Sequence, residues 1–231
     1  MRIAHARYGR RVTDVQEYSG TYYDFSRPDR GRKRRVDTWR DALIRRQIRS
    51  RVPGGRLLDV GCGIGAFLDT MRDEFDLWGL DISDYAISRC HDRLPTATLA
   101  TGSLSEGIPW EVTYDAVTAI NVFEHLDEPL RAANVVRRHL RPGGLLVAHL
   151  PTIGNALQAA VYRRSYDLDP THIYRPSGEE FIRLVESAGF RTRWSAYAPF
   201  IAPGLTYRLA AHPAFMAVFE AVPPGDRTGR R

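Results

Sequence analysis

Two carboxylates and a glycine-rich bend stand out in residues 57 to 81. The stretch LLDVGCGIGAFL, residues 57 to 68, carries Asp59 near the end of an apolar run and then Gly61, Cys62, Gly63 and Gly65. The next apolar run, LWGLDI, closes on Asp81 and Ile82. An apolar strand, a glycine turn and a helix start form the nucleotide-binding geometry of doubly wound α/β folds, with ligands outside the carboxyl ends of the strands. Glycine tolerates positive φ and removes the Cβ that blocks close approach, so three glycines in this order point to a backbone that meets a non-protein ligand. Cys62 sits inside the turn, where a small side chain is required. Asp81 can accept from both hydroxyls of a ribose. Gly61, Gly63 and Ala66 also fit the loose pattern G-x-G-x-x-G/A, which allows a nicotinamide enzyme as well as other adenosine binders. Asp59 separates these readings. A carboxylate there repels a pyrophosphate and favours a cationic ligand end.

The elements around these residues follow from periodicity. Trp39, Leu43, Ile44 and Ile48 recur at helical spacing, which predicts a helix from about Val36 to Arg51. AFLDTMRDEF predicts a second helix directly after the glycine turn, and SDYAISRCHDRL a third with Ser83 as N-cap. TATLATGS and YDAVTAIN read as strands, Pro129 to Leu140 as a helix, RPGG as a turn and LLVAHLP as a further strand. SGEEFIRLVESAGF is a helix with Ser177 and Glu180 as a capping box and Gly189 as its stop. RTRWSAYAPF reads as a strand, and AFMAVFEAV is read as a final buried strand in preference to a helical turn. Continuous apolar strands alternating with amphipathic helices predict an α/β, doubly wound, mostly parallel sheet with helices on both faces.

Residues 1–35 read as an arm or lid, 36–222 as the main domain with a loose insert at 152–176, and 223–231 as a tail. No run approaches the roughly 18 apolar residues of a membrane helix. The N-terminal residues lack the apolar core of a secretion signal, and two cysteines, Cys62 and Cys90, are too few for a disulfide framework, which suggests a reducing, cytoplasmic setting. The net charge is +6, concentrated in residues 26 to 51. A solvated helix face explains that cluster better than RNA or an acidic partner, because no aromatic-interleaved RNA platform accompanies it.

The motifs LLDVGCGIGAFL, LDI ending at Asp81 and Ile82, YDAVTAINVFEHLDEP and LRPGGLLVAHLP resemble, in order and spacing, those of the class I S-adenosylmethionine-dependent methyltransferases of small-molecule type. DPTHIYRPSGEEFIRLVESAGF is similar to a segment of ubiquinone-pathway and natural-product members. The resemblance implies a seven-stranded Rossmann-like sheet and S-adenosylmethionine as cofactor. It implies that Asp59 and the backbone of Gly61 and Gly63 hold the methionine end, that Asp81 binds the ribose, that Ile82 packs on adenine, and that the Asn121 backbone faces the ammonium. Ser103 and Leu104 stand where many relatives carry an acidic residue for the adenine amino group. From the arm, Tyr22 or Arg35 would meet the methionine carboxylate.

The implied acceptor is a small molecule with a hydroxyl or amine. His125, after the fourth strand, and His172, in the insert, are the candidate bases. Glu124 is adjacent to His125, but neighbours on a helix point apart. No metal is expected, since Asp127 and Glu128 lack matching ligands at a recognisable spacing. Three alternatives remain: an RNA or protein methyltransferase using the basic arm; a binding-only module; and a nicotinamide oxidoreductase. The last is opposed by Asp59 and by the lack of a Tyr-x-x-x-Lys pair, Lys33 being the single lysine.

Overall fold

In a computed structural model, residues 30–198 and 210–223 are described, with side chains from residue 37 onward. The apolar runs become strands in the order that their burial requires. β1 (Gly55–Val60) has four consecutive buried residues, and β4 (Tyr114–Ile120), β5 (Leu140–Pro151) and β7 (Ala214–Ala221) are buried along most of their length. Strands buried on successive residues must be covered on both faces. Leu58, Val117, Leu146 and Phe219 pack on one face with α3 (Pro129–His139) and α5 (Gly178–Ser187). Their neighbours Leu57, Ala116, Leu145 and Val218 pack on the other, against Ile44 and Ile48 of α1 (Arg30–Arg49).

The seven strands run β3-β2-β1-β4-β5-β7-β6, where β2 is Phe75–Asp81, β3 is Thr98–Thr101 and β6 is Phe190–Tyr197. The pairs from β3 through β5 are parallel, and β7 runs antiparallel to both β5 and β6. The chain order reverses between β1 and β4, so the cleft outside their carboxyl ends is the switch point of the sheet. Parallel pairing brings Asp59 level with Gly79 on one side and Thr118 on the other.

Most local expectations hold. Ser83 caps α2 (Asp84–Arg93), accepting from the Ala86 amide at 3.3 Å. Ser177 and Glu180 close the reciprocal box at the start of α5, and Gly189 takes φ 91° just beyond it. Residues 214 to 221 are a strand.

Four expectations are corrected. AFLDTMRDEF does not form a full helix; only a 3-10 turn, Leu68–Met71, is present, and β2 begins already at Phe75. The Phe67 carbonyl accepts both the Thr70 amide at 2.9 Å and the Thr70 hydroxyl at 2.8 Å, which tightens the chain into i to i−3 bonding. α1 starts at Arg30, inside the segment assigned to the arm, and stops at Arg49. Arginine and lysine are good helix formers, so RGRKRR extends the helix without any apolar periodicity to announce it. RPGG does not separate a helix from a strand. It lies within β5 as an irregularity, with the register slipping between Tyr114 and Ala116. The insert is partly helical: α4 (Ala156–Ser165) is capped by Asn155, whose Oδ1 accepts from the Gln158 amide at 2.8 Å.

The Phe181 side chain is fully buried on the α5 face of the sheet, whereas Ser177 contributes only its cap. Phe181→Ala is expected to cost about 3–5 kcal/mol and Ser177→Ala about 1 kcal/mol in urea-monitored unfolding. Equal losses would contradict the packing described.

Candidate active site

The site begins where β1 ends. Asp59 is 2% exposed, and Thr118, level with it on β4, donates its hydroxyl to Asp59 Oδ1 at 2.6 Å. Burial pushes the Asp59 carboxyl up to about 7; the Thr118 bond opposes this, the Asp41 and Asp81 carboxylates add to it, and the Arg40 guanidinium opposes it. A buried acid in this state is poised to ionise when a cation arrives beside it.

The glycine turn is stitched to β2 by its backbone. The Gly61 and Cys62 amides both donate to the Leu80 carbonyl, at 2.7 and 3.2 Å. Gly61 and Gly65 take φ 71° and 76°. A Cβ at Gly61 would stand 2.5 Å from Val122 Cγ2, and one at Gly65 2.5 Å from Cys90 Sγ. At these two positions a protein side chain already excludes a Cβ, a requirement for glycine that stands beside the close approach of a ligand expected from sequence. Cys62 is likewise turned inward and buried, with its Sγ 3.7 Å from the Gly63 carbonyl.

Asp81 closes the other side of the cleft. Its Oδ2 accepts from the Gly63 amide at 2.8 Å and its Oδ1 from the Ser83 amide at 2.9 Å. Burial raises its pKa, against the pull of the Ser83, Gly63 and Ile82 amides. Each oxygen retains a further lone pair. Ile82 is half-buried beside it. Ser103 Oγ accepts from the Ser105 amide at 3.2 Å, while Leu104 is buried in the core with Leu80.

At the end of β4, Asn121 takes φ 57°, the left-handed value rare outside glycine and tolerated best by asparagine and aspartate. Its amide donates to the His149 carbonyl at 2.8 Å, and His149 Nδ1 stands 2.8 Å from Asn121 Oδ1. Because that oxygen only accepts, His149 carries its proton on Nδ1. Burial, then the positive charges of Arg40 and His212, push the His149 pKa well down and keep it neutral.

Arg40 and His149 are the residues that sequence reasoning missed here. The Arg40 side chain is 13% exposed, pairs with Asp37 at 3.1 Å and Asp41 at 2.8 Å, and exerts its field on Asp59, His149 and Tyr166. The signal for Arg40 was available: it lies four and eight residues before Ile44 and Ile48, on the buried face of the same helix. Tyr22 lies outside the described residues, and of Arg35 only the helical backbone is described.

The two candidate histidines meet. Phe123–His125 is a 3-10 turn after β4, and the Glu124 carbonyl accepts the Ile173 and Tyr174 amides at 2.9 and 3.0 Å, which docks the insert on the sheet. The His125 and His172 ring centroids are 4.8 Å apart. His125 Nδ1 lies 2.9 Å from Thr171 Oγ1 and 3.2 Å from the Thr171 carbonyl. Thr171 gives its one hydroxyl proton to Asp169 Oδ1 at 2.5 Å. Oγ1 must therefore accept from His125, so the proton is on Nδ1 and the lone pair on Nε2. Burial lowers the pKa of His125, and burial together with His125 brings His172 to about 4, with Asp169 opposing.

Glu124 does not splay away from this pair. It is 1% exposed, neither carboxylate oxygen has a hydrogen-bond partner, and burial pushes it up to about 8. Ligating atoms of Glu124, His125 and His172 lie within 4.8 Å of one another.

A seven-stranded switch-point cleft bounded by two strand-end carboxylates defines a nucleoside-binding α/β protein. The family described as a methyltransferase domain matches residues 29–193, and the chain belongs to it. It is of the class I type, whose cofactor is S-adenosylmethionine. It is 28% identical over 152 residues to a probable S-adenosylmethionine-dependent methyltransferase of Mycolicibacterium smegmatis, covering 65% of this chain and 58% of that protein. It is 32% identical over 105 residues to a dTDP-3-amino-3,4,6-trideoxy-alpha-D-glucopyranose N,N-dimethyltransferase of Streptomyces venezuelae, covering 43% of this chain and 44% of that protein. The matches thus span about two fifths to three fifths of these relatives' lengths. Among solved structures, an S-adenosylmethionine-dependent methyltransferase from Clostridium acetobutylicum superposes with TM-score 0.63 at 13% identity, covering 88% of this chain and 97% of that one. The [4+2]-cyclase SpnF superposes with TM-score 0.60 at 21% identity, covering 79% and 81%.

Asp59 has a folded pKa of about 7 against 3.8 for an unperturbed aspartate. Between about pH 4 and 7 the unfolded chain ionises this group and the folded chain does not, so its share of stability falls with rising pH and levels off above 7. Asp59→Asn should lack that component. Urea unfolding of ligand-free protein across this range is expected to show the wild-type minus variant difference declining to pH 7 and flat beyond.

Proposed function

We propose that the chain transfers the methyl group of S-adenosylmethionine to a hydroxyl or amine of a small molecule. The observation that carries this reading is the pair Asp59 and Asp81, buried at the ends of adjacent strands on either side of the glycine turn. Asp81 retains lone pairs for two vicinal hydroxyls, and Asp59 offers charge to an ammonium or sulfonium. A dinucleotide would instead set its pyrophosphate against Asp59, which argues against the nicotinamide reading.

The residues present suit the cofactor. Asp81 and Ile82 would hold the nucleoside, with Ser103 near the base. The turn backbone at Gly61 and Gly63, with Asp59 and Asn121, would hold the amino acid end. Arg40, whose charge acts on Asp59, joins Tyr22 and Arg35 as a partner for the methionine carboxylate. The bound cofactor supplies a methyl group already activated by its sulfonium. The protein's task is alignment and exclusion of water. The insert at 152–176 covers the acceptor side, and His125 there keeps a basic Nε2 that can take an acceptor's proton.

Small acceptors are favoured by the relatives: one acts in its name on an amino sugar, and a ubiquinone biosynthesis O-methyltransferase of Photorhabdus laumondii is 27% identical over 149 residues. No described helix is long and apolar enough to cross a membrane. A cytoplasmic setting, and an arm that ends where α1 begins at Arg30 and closes over a domain running to 222 with a tail at 223–231, complete the proposal. RNA as the acceptor has only the basic arm in its favour.

Calorimetry with S-adenosylhomocysteine and with NADH tests this. The former is expected to bind and the latter not. Asp81→Ala should weaken the nucleoside about 10- to 100-fold, the scale of charge-assisted hydrogen bonds. Unchanged affinity would remove the ribose assignment.

A further inference from the structure

We infer that Glu124, His125 and His172 bind a divalent transition-metal cation, Zn²⁺ foremost, at the junction of the sheet and the insert. The inference starts from a deficit. Glu124 is 1% exposed, and both of its oxygens are buried without a hydrogen-bond partner. A buried polar group with no partner is rare in folded proteins, and a buried carboxylate needs a paired charge or a metal. Among the described residues, the His125 and His172 imidazoles each bring a nitrogen within 4.8 Å of a Glu124 oxygen.

The donor set names the ion. Two imidazoles and one carboxylate suit Zn²⁺ and its late first-row neighbours. Mg²⁺ and Ca²⁺ take oxygen ligands almost throughout, so the histidines select against them. The ligating atoms lie within 4.8 Å of one another. Around a tetrahedral ion with bonds of about 2.0–2.1 Å they would stand roughly 3.4 Å apart. Binding therefore draws the donor atoms together by up to about 1.4 Å.

The surroundings already orient the ligands. The relay from Asp169 through the Thr171 hydroxyl to His125 Nδ1 leaves the Nε2 lone pair for the ion. Tyr162 Oη lies 3.5 Å from His172 Nδ1, and Asp169 Oδ2 lies 3.7 Å from His172 Nε2. With the ion on one of these nitrogens, the polar neighbour of the other would orient the ring, as such partners do for metal-bound histidines. Three protein ligands leave a tetrahedral ion one open position, for water or for an oxygen or nitrogen of the acceptor; with the ion bound, the His125 Nε2 is no longer available as a base, and the ion's lowering of the acceptor's proton affinity would stand in its place. The ion would also pin the insert, which is docked here through the Ile173 and Tyr174 amides on the Glu124 carbonyl.

The test reads the metal directly and needs no methyl transfer. The full chain, stripped with a chelator, is titrated with Co²⁺, followed by its visible d–d absorption, and then with Zn²⁺ in competition. One equivalent bound per chain with tetrahedral absorption is expected. Glu124→Gln and His172→Ala should each weaken Co²⁺ by at least about 100-fold, and Thr171→Val, which cuts only the relay, by about 10- to 100-fold. If Glu124→Gln fails to fold, the other two variants carry the result. Wild type that binds no Co²⁺, or variants that bind it as wild type does, overturn the inference. S-adenosylhomocysteine calorimetry on the same samples keeps the two readings apart: loss of nucleoside binding with Co²⁺ binding intact counts against the proposed activity alone.

Discussion

The Asp81 carboxylate holds the cleft together. With one oxygen it grips the Gly63 amide of the turn after β1, and with the other the Ser83 amide at the start of α2. Two chain segments that leave adjacent parallel strands are thereby kept at fixed spacing. The Leu80 carbonyl reinforces this by accepting from both Gly61 and Cys62. Charge-assisted bonds in a partly dry setting hold more firmly than neutral ones, so the bend is rigid before any ligand arrives. A rigid bend can present Asp59 and Asn121 at fixed positions along the same edge.

Two kinds of tension are built into that edge. Asp59 is buried with one hydroxyl partner, so it gives up ionisation for its position. Asn121 holds a left-handed backbone that its bonds to His149 maintain. Both are arrangements that a fold tolerates when the surrounding packing over-determines them, and both occur where a ligand would meet the sheet. The packing is sufficient: Phe181 and Phe219 lie under one face, and Ile44 and Met216 under the other.

The fold was legible to the extent that local rules govern it. Runs such as YDAVTAIN and LLVAHLP could only be strands of a doubly covered sheet, and Ser177 with Glu180 could only open a helix. The errors came where local signals were silent or misleading. Residues 68 to 71 show a helical pattern of apolar residues, yet the Thr70 hydroxyl and the early start of β2 leave room only for a 3-10 turn. RGRKRR has no apolar stripe, yet it is the first part of α1.

The sequence by itself determined the strand-end carboxylates Asp59 and Asp81, because strand, bend and helix signals locate a residue at a sheet edge without reference to the rest of the chain. It could not determine what surrounds them. The charge of Arg40 is brought to bear on Asp59 by the packing of α1, and Glu124 and His125 meet His172 because the backbone of residues 173 and 174 bonds to the Glu124 carbonyl. Contacts between distant segments depend on how loops dock, and docking is decided by the sum of many weak packing and hydrogen-bond terms that no single stretch of residues encodes.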